Sequence, residues 1–491
     1  MVPFSAMTTR QRAARLFVTG LSPGGVGLTP EFERLLRESP PAGVLLFRRD
    51  YRELGALPKL VEKLRALAAP SPLLLCVDEE GGFVSQVAPD LPVPPSARVL
   101  GRGATSRQVE ALGEYTGRVL HAHGVDVDFA PVFDVDAEPT NPVIGPRAFG
   151  ADPATVSRLA LAFARGLTTG GVLPCAKHFP GHGDTRSDSH LELPVESDPR
   201  ERLETRDFPP FRAAVAERVP LVMISHVHYA AFDETPTPAT LSPRLSRTLL
   251  RENLGYQGVA ITDAMEMKAV AHGFPPGEAA WAAFAAGCDL LLYGAWTPET
   301  EQALDAMTGH LEAKDDEARV REAERRIHRL FTERAEAAAQ AVPAGDLGAA
   351  PVDLVSLCGR SLGVEGDLSA LRAASRRTRW LVVEPEWNGG PALSTLLTER
   401  GWSVESAAWD KAPPPERFDH VLLAHARRTA PTPEEASLLA KATARATSVL
   451  VAFGQDAFLA QHPRATIRIS ACDPGESMRR AVALKLSGPP A

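Results

Sequence analysis

Val172-Leu173-Pro174-Cys175-Ala176-Lys177-His178-Phe179-Pro180-Gly181-His182-Gly183-Asp184-Thr185-Arg186-Ser187-Asp188-Ser189-His190 begins as an apolar run and ends as a polar one. The first five residues have the composition of a buried strand. The fourteen from Lys177 to His190 hold three histidines, two aspartates and a lysine, interrupted by Pro180, Gly181 and Gly183. Proline and closely spaced glycines fit neither a helix interior nor a central strand. Residues 177–190 are therefore predicted to be a loop, and a loop this dense in titratable groups reads as an active site.

The same junction recurs along the chain. Strand-like runs at 15–21, 43–47, 73–77, 125–129, 172–176, 221–224, 259–262 and 289–293 alternate with amphipathic stretches at 106–123, 153–168, 242–253 and 276–286. Alternation of this kind predicts βα units around a parallel sheet. What selects a (β/α)8 barrel over an open sheet is where the polar residues fall. Asp78, Asp134, Lys177-His178, Ser225-His226 and Asp263 each follow one of these runs, at the rim where barrel enzymes keep their chemistry.

A Glu/Arg/Ala-rich helix is predicted from about residue 310 to 341, and Val342-Pro343-Ala344-Gly345 punctuates it. The expected organisation is a (β/α)8 barrel over 1–341 and a smaller three-layer α/β domain over 342–491. In the second domain strands are predicted at 380–383, 420–423, 448–453 and 466–470, with helices at 392–399 and 433–444.

With 44% apolar and 23% charged residues and a net charge of −8, the chain has the composition of a globular protein without a nucleic-acid footprint. Its five cysteines are scattered with no CxxC pair, as expected of reduced thiols in a cytoplasmic protein. The first residues lack a basic start and a signal-type apolar run, and no run reaches the roughly 18 residues of a membrane helix, so no membrane partner is expected.

Residue chemistry gives each polar stretch a functional and a bland reading. Asp188 and His190, two apart in an irregular loop, can pair so that the carboxylate fixes the imidazole tautomer and the other ring nitrogen moves a proton. His178 and His182 have the spacing of helical metal ligands, but Pro180 and Gly181 exclude that helix and no further ligands complete the set. No metal or cofactor is expected. Asp263 can serve as a nucleophile or as a helix cap. Asp78-Glu79-Glu80-Gly81-Gly82 can bind sugar hydroxyls or a cation, or be a solvated turn. Arg147, on the Pro/Gly loop 141–150, can donate fixed hydrogen bonds to a ligand or sit idle on the surface.

Lys177-His178-Phe179-Pro180-Gly181-His182-Gly183-Asp184-Thr185, with Asp188-Ser189-His190 after it, closely resembles the signature of β-N-acetylglucosaminidases of glycoside hydrolase family 3. The Asp-x-Glu-Gly-Gly, Asn-Pro-x-Ile-Gly-x-Arg, Met-x-Ser-His and Thr-Asp-x-x-x-Met elements follow the same pattern in order, over roughly residues 10–340. The resemblance implies retaining hydrolysis of a terminal β-linked N-acetylglucosamine. Asp263 matches the nucleophile, His190 the general acid/base and Asp188 its partner. Asp78, Arg147, Lys177 and His178 match residues that bind the sugar hydroxyls, with Gly181 and Gly183 allowing the loop to move. The implied substrates are muropeptides from cell-wall turnover. Glu79 and Phe83 depart from the Gln and Arg common in relatives, and Ala148 from a frequent Ser. A phosphorylase using the same residues, a related glucosidase or xylosidase, and a non-catalytic sugar-binding protein are the alternatives. The glucosidase is disfavoured by the Asp-x-His pair.

Overall fold

The computed structural model describes residues 4–24, 27–189, 191–343, 347–374, 378–427, 431–444 and 447–488. Eight strands, β1 (Phe17–Gly20), β2 (Gly43–Leu45), β3 (Leu74–Val77), β4 (Val127–Asp128), β5 (Leu173–Phe179), β6 (Leu221–Ile224), β7 (Val259–Ala264) and β8 (Leu290–Tyr293), close into a parallel barrel. Each pairs with its neighbours in sequence, and β8 returns to β1. The expected barrel is therefore present. Its strands are short apolar runs because helices cover the outside and side chains fill the inside, so both faces are buried.

The barrel's N-terminal face is closed by charge. Arg15, expected to open β1, precedes it and donates Nη1 to the carbonyls of Pro41 (2.6 Å) and Pro72 (2.8 Å). Asp289, fully buried just before β8, meets Arg251 at 2.6 Å, Arg319 at 2.9 Å and Arg326 at 3.0 Å. These guanidiniums outweigh the effect of burial and hold the Asp289 carboxyl below its usual range. Arg319, Arg326 and Arg334 all lie on the helix Glu317–Gln340, and Arg334 reaches Asp126 below β4. The expected single helix from 310 to 341 is in fact two. The helix Pro298–Ala313 ends where Lys314 and Asp316 take left-handed backbone, and the Asp316 side chain caps the next helix at Arg319 N (3.2 Å). The run expected as a helix at 242–253 winds as a π-helix over Arg244–Asn253.

A second sheet contains β9 (Gly363–Glu365), β10 (Arg379–Val383), β11 (Ser403–Ala407), β12 (His420–His425), β13 (Ser448–Ala452) and β14 (Ile467–Ser470), in the order β9-β14-β13-β12-β10-β11. Only β9 runs antiparallel. Alternation along the strands builds a core on each face. Trp380, Val382 and Leu422 point into one, Leu381, Val383 and Leu423 into the other, and helices cover both. The sheet is thus the middle of three layers. The edge strands β9 and β11 are partly exposed and carry no apolar run, which is why periodicity does not find them. No described helix is long and apolar enough to cross a membrane.

Candidate active site

The barrel's C-terminal rim carries the polar residues singled out above. β5 continues through Lys177 and His178 to Phe179, so the expected loop begins three residues late. Its register against β6 shifts between Ala176 and Phe179, with cis peptide bonds at Lys177–His178 and Phe179–Pro180. Lys177 and His178 stand near the strand's C-terminal end, at the rim.

Lys177, buried, places Nζ 2.7 Å from Asp78 Oδ1 and 2.6 Å from Glu80 Oε1. Glu80 also receives a two-pronged bond from Arg147, Nε to Oε2 at 2.8 Å and Nη2 to Oε1 at 2.7 Å. Burial by itself would raise the Glu80 carboxyl, but Arg147 and Lys177 outweigh it and hold the group far below the carboxylate range. Burial would likewise lower Lys177, and Asp78 and Glu80 outweigh it in turn. Both partners therefore stay ionised. Beside them His178 Nδ1 lies 2.7 Å from Asp134 Oδ2, which leaves Nε2 facing Arg147 Nη2 at 3.5 Å. Asp134 also accepts the backbone N–H groups of His178 and His182. Asp78, Arg147, Lys177 and His178, four residues expected to bind sugar, thus form one interlocked cluster. Glu80 and Asp134 complete it. Glu80 belongs to the acidic turn expected to bind sugar hydroxyls or a cation, and Asp134 to the polar residues expected at the rim.

Beyond Phe179 the chain is pinned rather than loose. His182 bonds Thr185 Oγ1 through Nδ1 (2.8 Å) and faces Ser189 Oγ through Nε2 (3.2 Å). Burial, reinforced by the nearby His178, pulls the His182 pKa down to about 4, so the ring is neutral. Both of its nitrogens are engaged by hydroxyls, and His178 uses one on Asp134, which leaves no ready pair of ligands for a metal. Gly183 packs so tightly that a Cβ there would lie 1.7 Å from Val135 O, and one at Gly181 would meet Asp207 Cβ at 2.8 Å. These glycines permit close approach. In this conformation neither position has room for a side chain. The Asp188 carbonyl accepts the N–H groups of Leu191 and Glu192. His190 lies outside the described residues.

Asp263 is the penultimate residue of β7, one position beyond Thr262, which pairs with Ile224, itself level with Phe179. It therefore stands on the same rim as the cluster. Its Oδ1 accepts the N–H of Ala264 (2.8 Å), and its charge acts on His182. His226 Nε2 lies 3.0 Å from Ala264 O, and Ala269 N bonds Ser189 O at 3.3 Å. The Asp188 loop and the turn after Asp263 are thereby tied together. Among the described residues, Asp184, Glu196 and Asp198 group their carboxylates within 4.8 Å of one another. Arg206 already bonds Asp184 (2.8 Å) and Asp198 (2.7 Å) there.

A sequence model of the glycosyl hydrolase family 3 N-terminal domain matches residues 24–330. The beta-hexosaminidase of Neisseria meningitidis serogroup B is 37% identical over 272 residues, 54% of this chain and 74% of that protein. The beta-hexosaminidase of Alkalilimnicola ehrlichii is 39% identical over 274 residues, covering 55% and 78%. Among solved structures, a glycoside hydrolase family 3 beta-N-acetylglucosaminidase from a Paenibacillus species superposes with a TM-score of 0.89 at 29% identity, covering 99% of this chain and 98% of that one. A beta-glucoside phosphorylase superposes with a TM-score of 0.81 over 99% and 93%, at 20% identity. That likeness concerns the fold alone.

Proposed function

The chain belongs to glycosyl hydrolase family 3, and from that we propose that it is a retaining β-N-acetylglucosaminidase acting on terminal, non-reducing β-linked N-acetylglucosamine. The observation that carries the reading is the rim itself. A charge-compensated cluster of buried Lys177 and Glu80 with partly exposed Arg147 and Asp78 stands on the same rim as Asp263. The beta-hexosaminidases named above support the substrate class.

In the proposed reaction Asp263 attacks the anomeric carbon and forms a covalent glycosyl-enzyme, which water then opens. His190, oriented by Asp188, protonates the leaving oxygen in the first step and deprotonates the water in the second. Lys177, Arg147, His178 and Asp78 hold the sugar hydroxyls. Because Lys177 and Arg147 are already fixed on carboxylates, they need little reorganisation when substrate arrives. In cells the proposed substrates are muropeptides in the cytoplasm, in keeping with the family resemblance.

One assay tests the reading. Turnover of aryl β-N-acetylglucosaminide is compared with aryl β-glucoside, with and without phosphate, for the native enzyme and Asp263→Ala. We expect a strong preference for the N-acetyl substrate, no dependence on phosphate, and a loss on the order of 10³-fold or more in the variant. Near-native turnover by Asp263→Ala would refute the mechanism.

A further inference from the structure

The second domain touches the barrel beside the site. Part of that contact is ordinary domain adhesion. Ser96 Oγ donates to Cys472 O at 2.7 Å, and Arg102 pairs with Asp456. One contact differs in where it leads. Gln455, just past β13, donates its side-chain Nε2 to the backbone carbonyl of Asn141, across 314 residues of sequence. Its amide also lies over Gly145, whose φ is +44°, so closely that a Cβ there would meet Nε2 at 3.0 Å.

Asn141 is a hub. Its Oδ1 accepts the N–H groups of Val143 (2.9 Å) and Ile144 (2.8 Å), which folds the loop back toward Arg147. Its Nδ2 donates to His182 O (2.8 Å) and Thr185 Oγ1 (3.3 Å), at the root of the Asp188 loop. Arg147, two residues beyond Gly145, donates Nη1 back to Val143 O (3.2 Å) while its other nitrogens grip Glu80. The turn that aims the guanidinium is therefore held from within by Asn141, and from outside by a residue of the other domain.

We infer that Gln455 is a positioning residue for the sugar-binding side of the site, fixing the Asn141–Arg147 turn so that Arg147 stands where the substrate needs it. This rests on the proposed role of Arg147 in binding the sugar. The second domain then adds an outside support to a turn that the barrel holds through Asn141 and, at Gly145 O, through Arg98 Nη2 (3.3 Å). A bond that holds a binding group in place acts on the Michaelis constant more than on the proton-transfer step.

The test uses the full chain and aryl β-N-acetylglucosaminide. Losing one such bond is worth about fivefold. Gln455→Ala should raise KM by about that factor, with kcat changed less than about twofold and the unfolding midpoint nearly native. Gln455→Glu turns the donor into an acceptor facing a carbonyl. Its KM, relative to native at the same pH, should be at least as high near pH 8 and recover toward pH 5, where the protonated carboxyl can again donate. Ser96→Ala, which loses a domain contact away from the turn, should leave KM unchanged. Arg147→Lys should raise KM, and adding Gln455→Ala to it should cost little more. A native KM in both Gln455 variants, or full additivity with Arg147→Lys, overturns the inference while leaving the subsite reading intact. A native KM in Arg147→Lys overturns the subsite reading, and this route with it.

Discussion

Replacing Glu79 with glutamine should change how the protein responds to pH, and the effect can be worked out from its surroundings. Glu79 follows β3 and is buried. Its Oε2 accepts from Ser85 Oγ (2.8 Å), Gln86 N (2.6 Å) and Val87 N (3.0 Å), while Oε1 has no partner among the described residues. Its own N–H goes to Asp128 Oδ1 at 2.8 Å, and Asp128 Oδ2 is likewise unpartnered among those residues. Burial dominates over the three donors and pushes the Glu79 carboxyl from 4.5 up to about 7, and burial raises Asp128 as well. Between those two pH values the folded protein keeps a proton that the unfolded chain releases, so stability falls as pH rises through the window. The full gap is worth about 3 kcal/mol, of which about 2 kcal/mol is lost between pH 5.5 and 8. Glu79→Gln keeps the shape of the protonated acid and cannot ionise. Urea unfolding of both proteins at the two pH values isolates the effect, since other titrating groups are common to both. The variant should gain about 2 kcal/mol over the native protein between pH 5.5 and 8. Parallel pH dependence of the two proteins would show that Glu79 does not carry the proton.

Two further outcomes are expected. His190→Ala should slow aryl substrates with poor leaving groups by roughly 10²–10⁴-fold and those with good leaving groups much less, because only the former need the proton. A Brønsted plot of rate against leaving-group pKa checks this, and an unchanged slope would count against the acid role. Asp289→Asn removes the one carboxylate that Arg251, Arg319 and Arg326 share. It should destabilise the barrel by about 3 kcal/mol in chemical denaturation, since buried Arg319 and largely buried Arg251 lose their counter-ion while Arg326 keeps Glu322 at 3.7 Å.

The barrel was legible because buried parallel strands read as continuous apolar runs, and because chemistry gathers at their C-terminal ends. Misreadings arose where local chemistry was overruled by distant packing. Pro180, Gly181 and Gly183 signalled a loop from Lys177 onward, yet pairing with β6 extends the strand to Phe179. Glu80 could not be told from its neighbour Glu79 by type. One is pinned between two cations and ionised, the other is sealed beside Asp128 and protonated over part of the neutral range. Gln455 sits in an unremarkable run of the second domain, and no local pattern marks a side chain that acts on a barrel loop 314 residues away.

The charge arrangement also bears on whether water or phosphate opens the proposed glycosyl-enzyme. A histidine acid/base carries less negative charge than a carboxylate, which by itself would ease the entry of phosphate. The rest of the cluster acts the other way. Its two strong cations are committed, Lys177 to Asp78 and Glu80 and Arg147 to Glu80. Asp134, which burial would raise, is instead held below its usual range by His178. An entering dianion would face these carboxylates without an uncommitted guanidinium or ammonium in the cluster to receive it, whereas sugar hydroxyls and water can bond to donors and acceptors alike. Compensation within the cluster therefore favours a neutral acceptor, and hydrolysis is the expected outcome in the phosphate arm of the assay. Sugar-1-phosphate among the products would refute this expectation.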